Sequence, residues 1–449
     1  MIGLKESFGS VSFEQWIDRL KKDLKSDDLH ELNKFDEIEN FGFTSYSHGN
    51  SVETNITNTE FTSSDSRTHT NNWKNVVFIE VNDEKEANSK ALEVLMKGAD
   101  ALHFSIQKNN INWEMLLDKI GLEYIFTEFT LHSANQFGEL HAQIGSTYQR
   151  NIAINFDLVN DINNRKELKN IVSTLNGNFY PVFLVDGYSL QQCGANITQE
   201  LAFCLATGNE YLISLMEAGL TIDQAATCIH FKLGVGAHYF QEIAKFKSFK
   251  ELWTVLVREY HPKESSSYDC MISAQIGSLN KSLADPYTNL LRQTTEVMSA
   301  SIAGVHRIAV LPYDITSENG VSQLSERMAL NISLILKEES YFDQVIDSIN
   351  GSYSVEQLSA TINEKAWALF GEIDEKGGVF SEEALQIVRN NVLASAQKRV
   401  NRAGEKKDTL IGINKFTIPT QTAVSFKKSN NYLGLPQLIL ERELTPAKA

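Results

Sequence analysis

DGYSLQQCGANITQELAFCLATGNEYLISLMEAGLTIDQAATCIHFKLGVGAHYFQEIAK, residues 186–245, decides the reading of this chain. It follows an apolar strand at 181–185 (PVFLV) that breaks at Asp186-Gly187. A long helix comes next, with Leu201, Ala202, Leu205, Leu212 and Leu215 at helical spacing. The run Ala218-Gly219-Leu220-Thr221 stops that helix and caps another. An apolar segment at 229–235 and a helix from about His238 complete the pattern. In a parallel α/β fold, the carboxyl ends of the strands face the ligand site. Tyr188, Ser189 and Gln191 therefore fall where chemistry would occur.

Outward from this stretch the same alternation continues. Short apolar strands are expected at 76–81, 101–106, 123–126, 152–156, 181–185, 229–233, 270–276 and 306–311, each followed by a helical pattern. Eight such units imply parallel pairing, right-handed crossovers and a closed (β/α)8 TIM barrel of the α/β class. An open doubly wound sheet is the alternative, but no Gly-x-Gly-x-x-Gly turn follows the first strand.

Three regions are expected. Residues 1–72 form an N-terminal arm and linker. An amphipathic helix at 13–24 carries Trp16, Leu20 and Leu24 on one face, and a Ser/Thr/Asn-rich stretch at 47–72 is too polar for a core of its own. Residues 73–325 form the barrel. Residues 326–449 form a C-terminal helical region and extended tail, with helical periodicity at 321–337, 355–372 and 382–403.

The net charge of -16 argues against nucleic acid or an anionic membrane as partner, since both reward basic patches. Cys193, Cys204, Cys228 and Cys270 form no CxxC pair and have no His at zinc-ligand spacing, so free thiols, mostly buried, are expected and no metal site. The sequence starts without a signal-peptide pattern, and no run approaches the ~18 apolar residues of a membrane span. A cytoplasmic protein with no membrane partner is expected.

Among chemical motifs, Gly-x-x-x-x-Gly-Lys and Gly-x-Ser-x-Gly are absent, and no two histidines stand at i, i+4. His103 and His230 fall on barrel strands, where a hydrogen-bonded core histidine is a simpler reading than a proton-transfer group. Glu242 and Lys245 share a helix and are expected to form an ordinary surface pair.

Several segments carry a resemblance. GYSLQQCGA (187–195), EAGLTID (217–223), FQEIAKFK (240–247), DPYTNLLRQTTEVMSA (285–300), NGSYSVEQL (350–358), LIGINKF (410–416) and SFEQW (12–16) resemble methylmalonyl-CoA mutases, in order and over nearly the whole chain. The resemblance implies an adenosylcobalamin-dependent radical rearrangement between methylmalonyl-CoA and succinyl-CoA. It implies a barrel that binds acyl-CoA and a separate cobalamin domain with an Asp-x-His-x-x-Gly motif. That motif is absent here, so no cobalamin-binding domain is expected. Where catalytic members read Gly-Tyr-His, this chain reads Gly187-Tyr188-Ser189. Where they begin the seventh strand with Arg, the aligned residue is Met271. The Tyr- and Arg-rich segment before the first strand is replaced by 47–72.

Tyr188, Ser189, Gln191 and Met271 are thus expected to be vestigial mouth positions, with no catalytic, cofactor-binding or metal residue in this chain. The resemblance then implies the small, non-catalytic subunit of a heterodimer. Its partner, the catalytic large subunit, would bind adenosylcobalamin and the acyl-CoA. The alternative is an active acyl-CoA-binding chain of a split mutase served by a separate cobalamin-binding subunit. Ser189 and Met271 speak against that. A barrel that threads pantetheine needs small interior residues. Phe78, Phe104, Phe126, Phe156, Phe183 and Phe231 lie on the strands, and period two turns some inward, so a plugged barrel is expected.

Overall fold

The computed structural model describes residues 11–27, 29, 33–44, 71–145, 151–417, 424–428 and 430–445. Most of the polar stretch at 47–72 lies outside them. A short antiparallel hairpin comes first, β1 (Asn33–Asp36) and β2 (Phe41–Thr44). The barrel strands follow: β3 (Lys74–Val81), β4 (Ala101–Ile106), β5 (Phe126–Thr130), β6 (Ile152–Ile154), β7 (Phe183–Asp186), β8 (Ile229–Val235), β9 (Met271–Ile276) and β10 (Arg307–Val310). All pair in parallel in the order β6-β5-β4-β3-β10-β9-β8-β7. The bridge Phe156↔Phe183 joins the two ends, so the sheet closes into the expected (β/α)8 barrel.

The third strand lies further along than its apolar residues suggest. The segment expected at 123–126 is mostly turn, and β5 runs Phe126–Thr130. It reads FTEFT, with Glu128 pointing into the barrel, so a count of apolar residues misses it.

Register fixes which side chains face inward. Phe78↔His103, His103↔Glu128 and Glu128↔Ala153 form one continuous row, and Lys232↔Ser273 and Ser273↔Arg307 form another. Partners directly opposite in a parallel sheet share a face. By this parity only Phe78 and Phe126 of the six strand phenylalanines face inward. The other four pack outward on helices, so period two turns inward two of the six. Phe231 wedges between Phe249 and Trp253, with ring centroids 4.7 and 4.8 Å away. Phe156 meets Phe137 edge-on at 5.8 Å, and Phe104 stacks on Phe129 at 5.6 Å. Each fully buried ring contributes about 1.5–3 kcal/mol.

Helix Ile197–Glu217 starts with a reciprocal capping box between Asn196 and Gln199. It is buried along most of its length because helices Tyr239–Arg258 and Tyr353–Glu375 cover its outer side. Its interior glycine has a packing reason: a Cβ on Gly208 would lie 2.5 Å from the Trp253 ring. Helix Gln323–Leu334 packs on β10 and β3, completes the last βα unit and runs through position 325. Helices Tyr353–Glu375 and Glu382–Gly404 follow, then a small hairpin of β11 (Asn431–Tyr432) and β12 (Leu435–Pro436). Near the N-terminus, helix Phe13–Leu24 forms as its pattern predicts and has no buried residue.

Candidate functional site

Strand β7 ends at Asp186, whose carboxylate caps the turn of helix Gly187–Gln192. Oδ1 accepts from the Ser189 backbone N–H at 2.9 Å and Oδ2 from the Ser189 hydroxyl at 2.8 Å. Ser189 is thereby turned back onto its own cap. The Tyr188 phenol reaches across the mouth to Gln275 of β9, and burial raises its pKa, as does the charge of Asp186. Gln191 and Gln192 lie flat on the ends of β8 and β9. A Cβ on Gly234 would fall 2.6 Å from Gln191 Oε1, and one on Gly277 2.2 Å from Gln192 Nε2. Only glycine allows that approach. Tyr188, Ser189 and Gln191 therefore share the mouth. Met271 does not join them. It is the first residue of β9, at the opposite end of the barrel, packed with Val76, Ala101, Phe126, Ala153 and Ala309.

Below the mouth, the interior carries charge where barrels ordinarily hold Val, Ile and Leu. Arg307 Nε donates to Ser273 Oγ at 2.9 Å, and its guanidinium lies 4.5 Å over the Phe126 ring. Arg307 Nη2 lies 3.2 Å from His230 Nδ1, and His230 Nε2 lies 2.9 Å from the Ile154 carbonyl. His103 Nε2 lies 2.7 Å from the Thr130 hydroxyl and 3.2 Å from Asn155 Nδ2. Burial holds both imidazoles neutral, lowering His103 to about 4 and His230 to about 3, the latter helped by the Arg307 charge. Glu128 is the opposite case. Burial pushes its carboxyl up, but the Arg307 charge above all, with Lys232, holds it well below the usual carboxylate range. His103 and His230 are thus hydrogen-bonded core histidines. Glu128, Asn155, Lys232 and Arg307 were not singled out from sequence. Charged residues in the middle of short apolar strands were the available signal.

Beside the mouth, Glu242 and Lys245 are not a surface pair. Lys245 Nζ is fully buried, 2.6 Å from Glu242 Oε2, 3.0 Å from Glu200 Oε2 and 2.6 Å from the Gly234 carbonyl. Burial pushes the Glu200 carboxyl up to about 7 against the pull of Lys245, and the neighbouring Glu242 adds to the rise. Burial opposes the Lys245 charge, but two flanking carboxylates raise its pKa. The i, i+3 spacing gave no sign that this face would turn inward onto Glu200 and the end of β8.

The chain's own hairpins roof half of the mouth. Asp36, at the end of β1, accepts from Gln241 at 3.1 Å and faces His238 Nδ1 at 3.1 Å. Glu39 accepts from the Ile197 N–H, and Asn196 donates to the Ile38 carbonyl. From the tail, the Tyr432 hydroxyl donates to Asp157 Oδ2 at 3.1 Å. Leu438 N donates to the Gln192 carbonyl, Gln437 to Ser278, and Leu440 N to the Leu279 carbonyl. A cleft of about 340 Å³ remains between hairpin and barrel, lined by Glu39, Gln191, Gly236, His238, Glu242 and Arg399.

Fold and mouth together define a (β/α)8-barrel protein with a charged interior and a half-roofed mouth. The family described as methylmalonyl-CoA mutase matches residues 164–434. The methylmalonyl-CoA mutase small subunit of Porphyromonas gingivalis is 32% identical over 446 residues, covering 94% of this chain and 72% of that one. The methylmalonyl-CoA mutase of Cereibacter sphaeroides is 31% identical over 247 residues, 55% of this chain and 35% of that one. The mitochondrial enzyme of Homo sapiens is 32% identical over 249 residues, with 55% and 33% covered. This chain belongs to the methylmalonyl-CoA mutase family. It spans 72% of the first of these relatives and about a third of the length of the other two.

Adenosylcobalamin, implied by that family, needs an open face for a wide, flat corrin. Over β6 to β9 that face is taken by Asp36–Glu39 and by the segment from Tyr432 to Leu440. The mouth residues do not fit the group.

Proposed function

We propose that this chain is the small, non-catalytic subunit of a two-chain, adenosylcobalamin-dependent methylmalonyl-CoA mutase. A large-subunit partner binds the acyl-CoA and the cofactor, and the pair works in the cytoplasm. The barrel interior carries the reading. A pantetheine arm running down the axis needs a passage lined by small side chains. Here Arg307 lies over Phe126, and His103, Glu128 and His230 also turn into the barrel, so large and charged side chains line the axis in place of small ones. Ser189, bonded to Asp186, offers no imidazole to a thioester. Helix Phe13–Leu24, with Phe13 and Leu24 exposed, suits an arm laid on a partner.

The test is activity with and without a large subunit. The chain alone, given adenosylcobalamin and methylmalonyl-CoA, should form no succinyl-CoA, while the co-expressed pair should. Turnover by the isolated chain at the rate of the pair would overturn the proposal.

A further inference from the structure

β3 and β10 pair over only three residues, from Lys74↔Arg307 to Val76↔Ala309, whereas β3 and β4 pair over six. Outside this short seam, a cleft of about 300 Å³ opens between helices Glu84–Met96 and Gln323–Leu334. Lys90 pairs with Glu326 across it, and Leu334 packs against Gly98 near one end. Its walls are apolar: Val77, Ile308 and Val310 from the outer side of the strands, Val94 and Leu330 from the helices. Asn75 lines it as well and is 2% exposed. Asn75 Oδ1 accepts from the Trp73 indole N–H at 3.0 Å and from the Ser333 hydroxyl. An indole nitrogen can only donate, so the amide cannot be turned round. Nδ2 is therefore the other amide atom, and it is buried without a hydrogen-bond partner. A buried donor left unpaired is costly and calls for an acceptor.

We infer that this cleft binds a small, uncharged, largely apolar molecule carrying one carbonyl oxygen, which accepts from Asn75 Nδ2. The volume is about twice the ~150 Å³ that takes a single benzene ring, which sets the ligand at roughly ten non-hydrogen atoms. Charge selects little. Lys90, Lys97, Arg327 and Lys427 at the rim are set against Glu80, Glu93 and Glu326, with Lys90–Glu326 and Lys97–Glu93 already paired. The apolar walls favour a neutral body, because a charge drawn in against them would lose its water. The site lies outside the barrel wall, so it is separate from the mouth and independent of the subunit role proposed above.

The experiment is calorimetric titration of the full chain with acetophenone, ethylbenzene and benzoate. Acetophenone should bind saturably below about 1 mM, and benzoate at least about tenfold more weakly. Asn75→Leu removes the donor and leaves the Trp73 N–H its bond to Ser333 Oγ at 2.8 Å. It should weaken acetophenone about fivefold and leave ethylbenzene, which has no acceptor, unweakened. Val94→Phe, which fills the cleft, should abolish binding of both, and Met96→Ala on the exposed side of the same helix should change neither. No saturable binding of acetophenone, equal binding of benzoate, an equal response of acetophenone and ethylbenzene to Asn75→Leu, or indifference to Val94→Phe overturns the proposal. Should either variant not fold, a crystal structure of the unaltered chain grown with acetophenone decides. The ketone oxygen within hydrogen-bond reach of Asn75 Nδ2 supports the site, and water alone at that atom refutes it.

Discussion

Arg307 Nη2 sits 3.2 Å from His230 Nδ1, and that contact fixes the imidazole as a neutral ring. A guanidinium can only donate, so Nδ1 must accept, and Nε2–H is left to donate to the Ile154 carbonyl.

His230 should therefore stay unprotonated across the range where a free imidazole titrates. Its folded pKa, about 3, lies below the ~6.5 of an unfolded histidine. Between those values the unfolded chain binds a proton that the folded chain refuses. Stability is thus present above pH ~6.5 and lost as pH falls toward 3, with His103, at about 4, adding to the loss. NMR titration should show both imidazole signals flat from pH 8 to 5. A midpoint near 6.5 for either would contradict this.

His238 works in the opposite sense. Its hydrogen bond to Asp36 raises it to about 9 against burial. The contribution is full below pH ~6.5 and disappears as pH climbs through 9. Asp36→Asn should return His238 to the ordinary range and remove the alkaline drop in melting temperature. An unchanged alkaline limb would show that this contact does not anchor the hairpin.

Lys245→Met should be among the most damaging single changes, because Glu200 and Glu242 are then left buried without their cation. Breaking a buried pair this way costs about 3–5 kcal/mol. Denaturant unfolding would measure the loss, and Glu200→Gln in the same chain should recover part of it. A loss below ~1 kcal/mol would mean that water reaches the cluster.

Gly208→Ala sets two effects against each other. Alanine in a helix interior gains about 1 kcal/mol over glycine. Its Cβ, however, would press within 2.5 Å of Trp253, a rigid ring already wedged on Phe231. Overpacking costs about 1–3 kcal/mol, so the net change is expected to be destabilising. The sign should reverse in a Trp253→Leu background, as read from paired denaturation midpoints.

The strand–helix alternation repeated eight times between residues 76 and 311 made a parallel barrel legible, because burial on both faces forces short apolar runs and parallel order forces crossovers, while closure itself came from the Phe156–Phe183 bridge. The capping residues and the helix Phe13–Leu24 were legible for the same reason: their signals are local. The mouth trio Tyr188, Ser189 and Gln191 followed from strand polarity alone. Tertiary structure decided everything that depends on which side of a wall a residue faces. Parity around the closed sheet sent Phe231 outward and Arg307 inward, and nothing within either strand distinguishes the two faces. Met271 lay at the wrong end of its strand to join the mouth. Glu242 and Lys245 became a buried cluster because Glu200 of helix Ile197–Glu217 and the Gly234 carbonyl of β8 close on them. Sequence spacing reports neighbours along one element, whereas charge burial depends on what the rest of the chain lays on top.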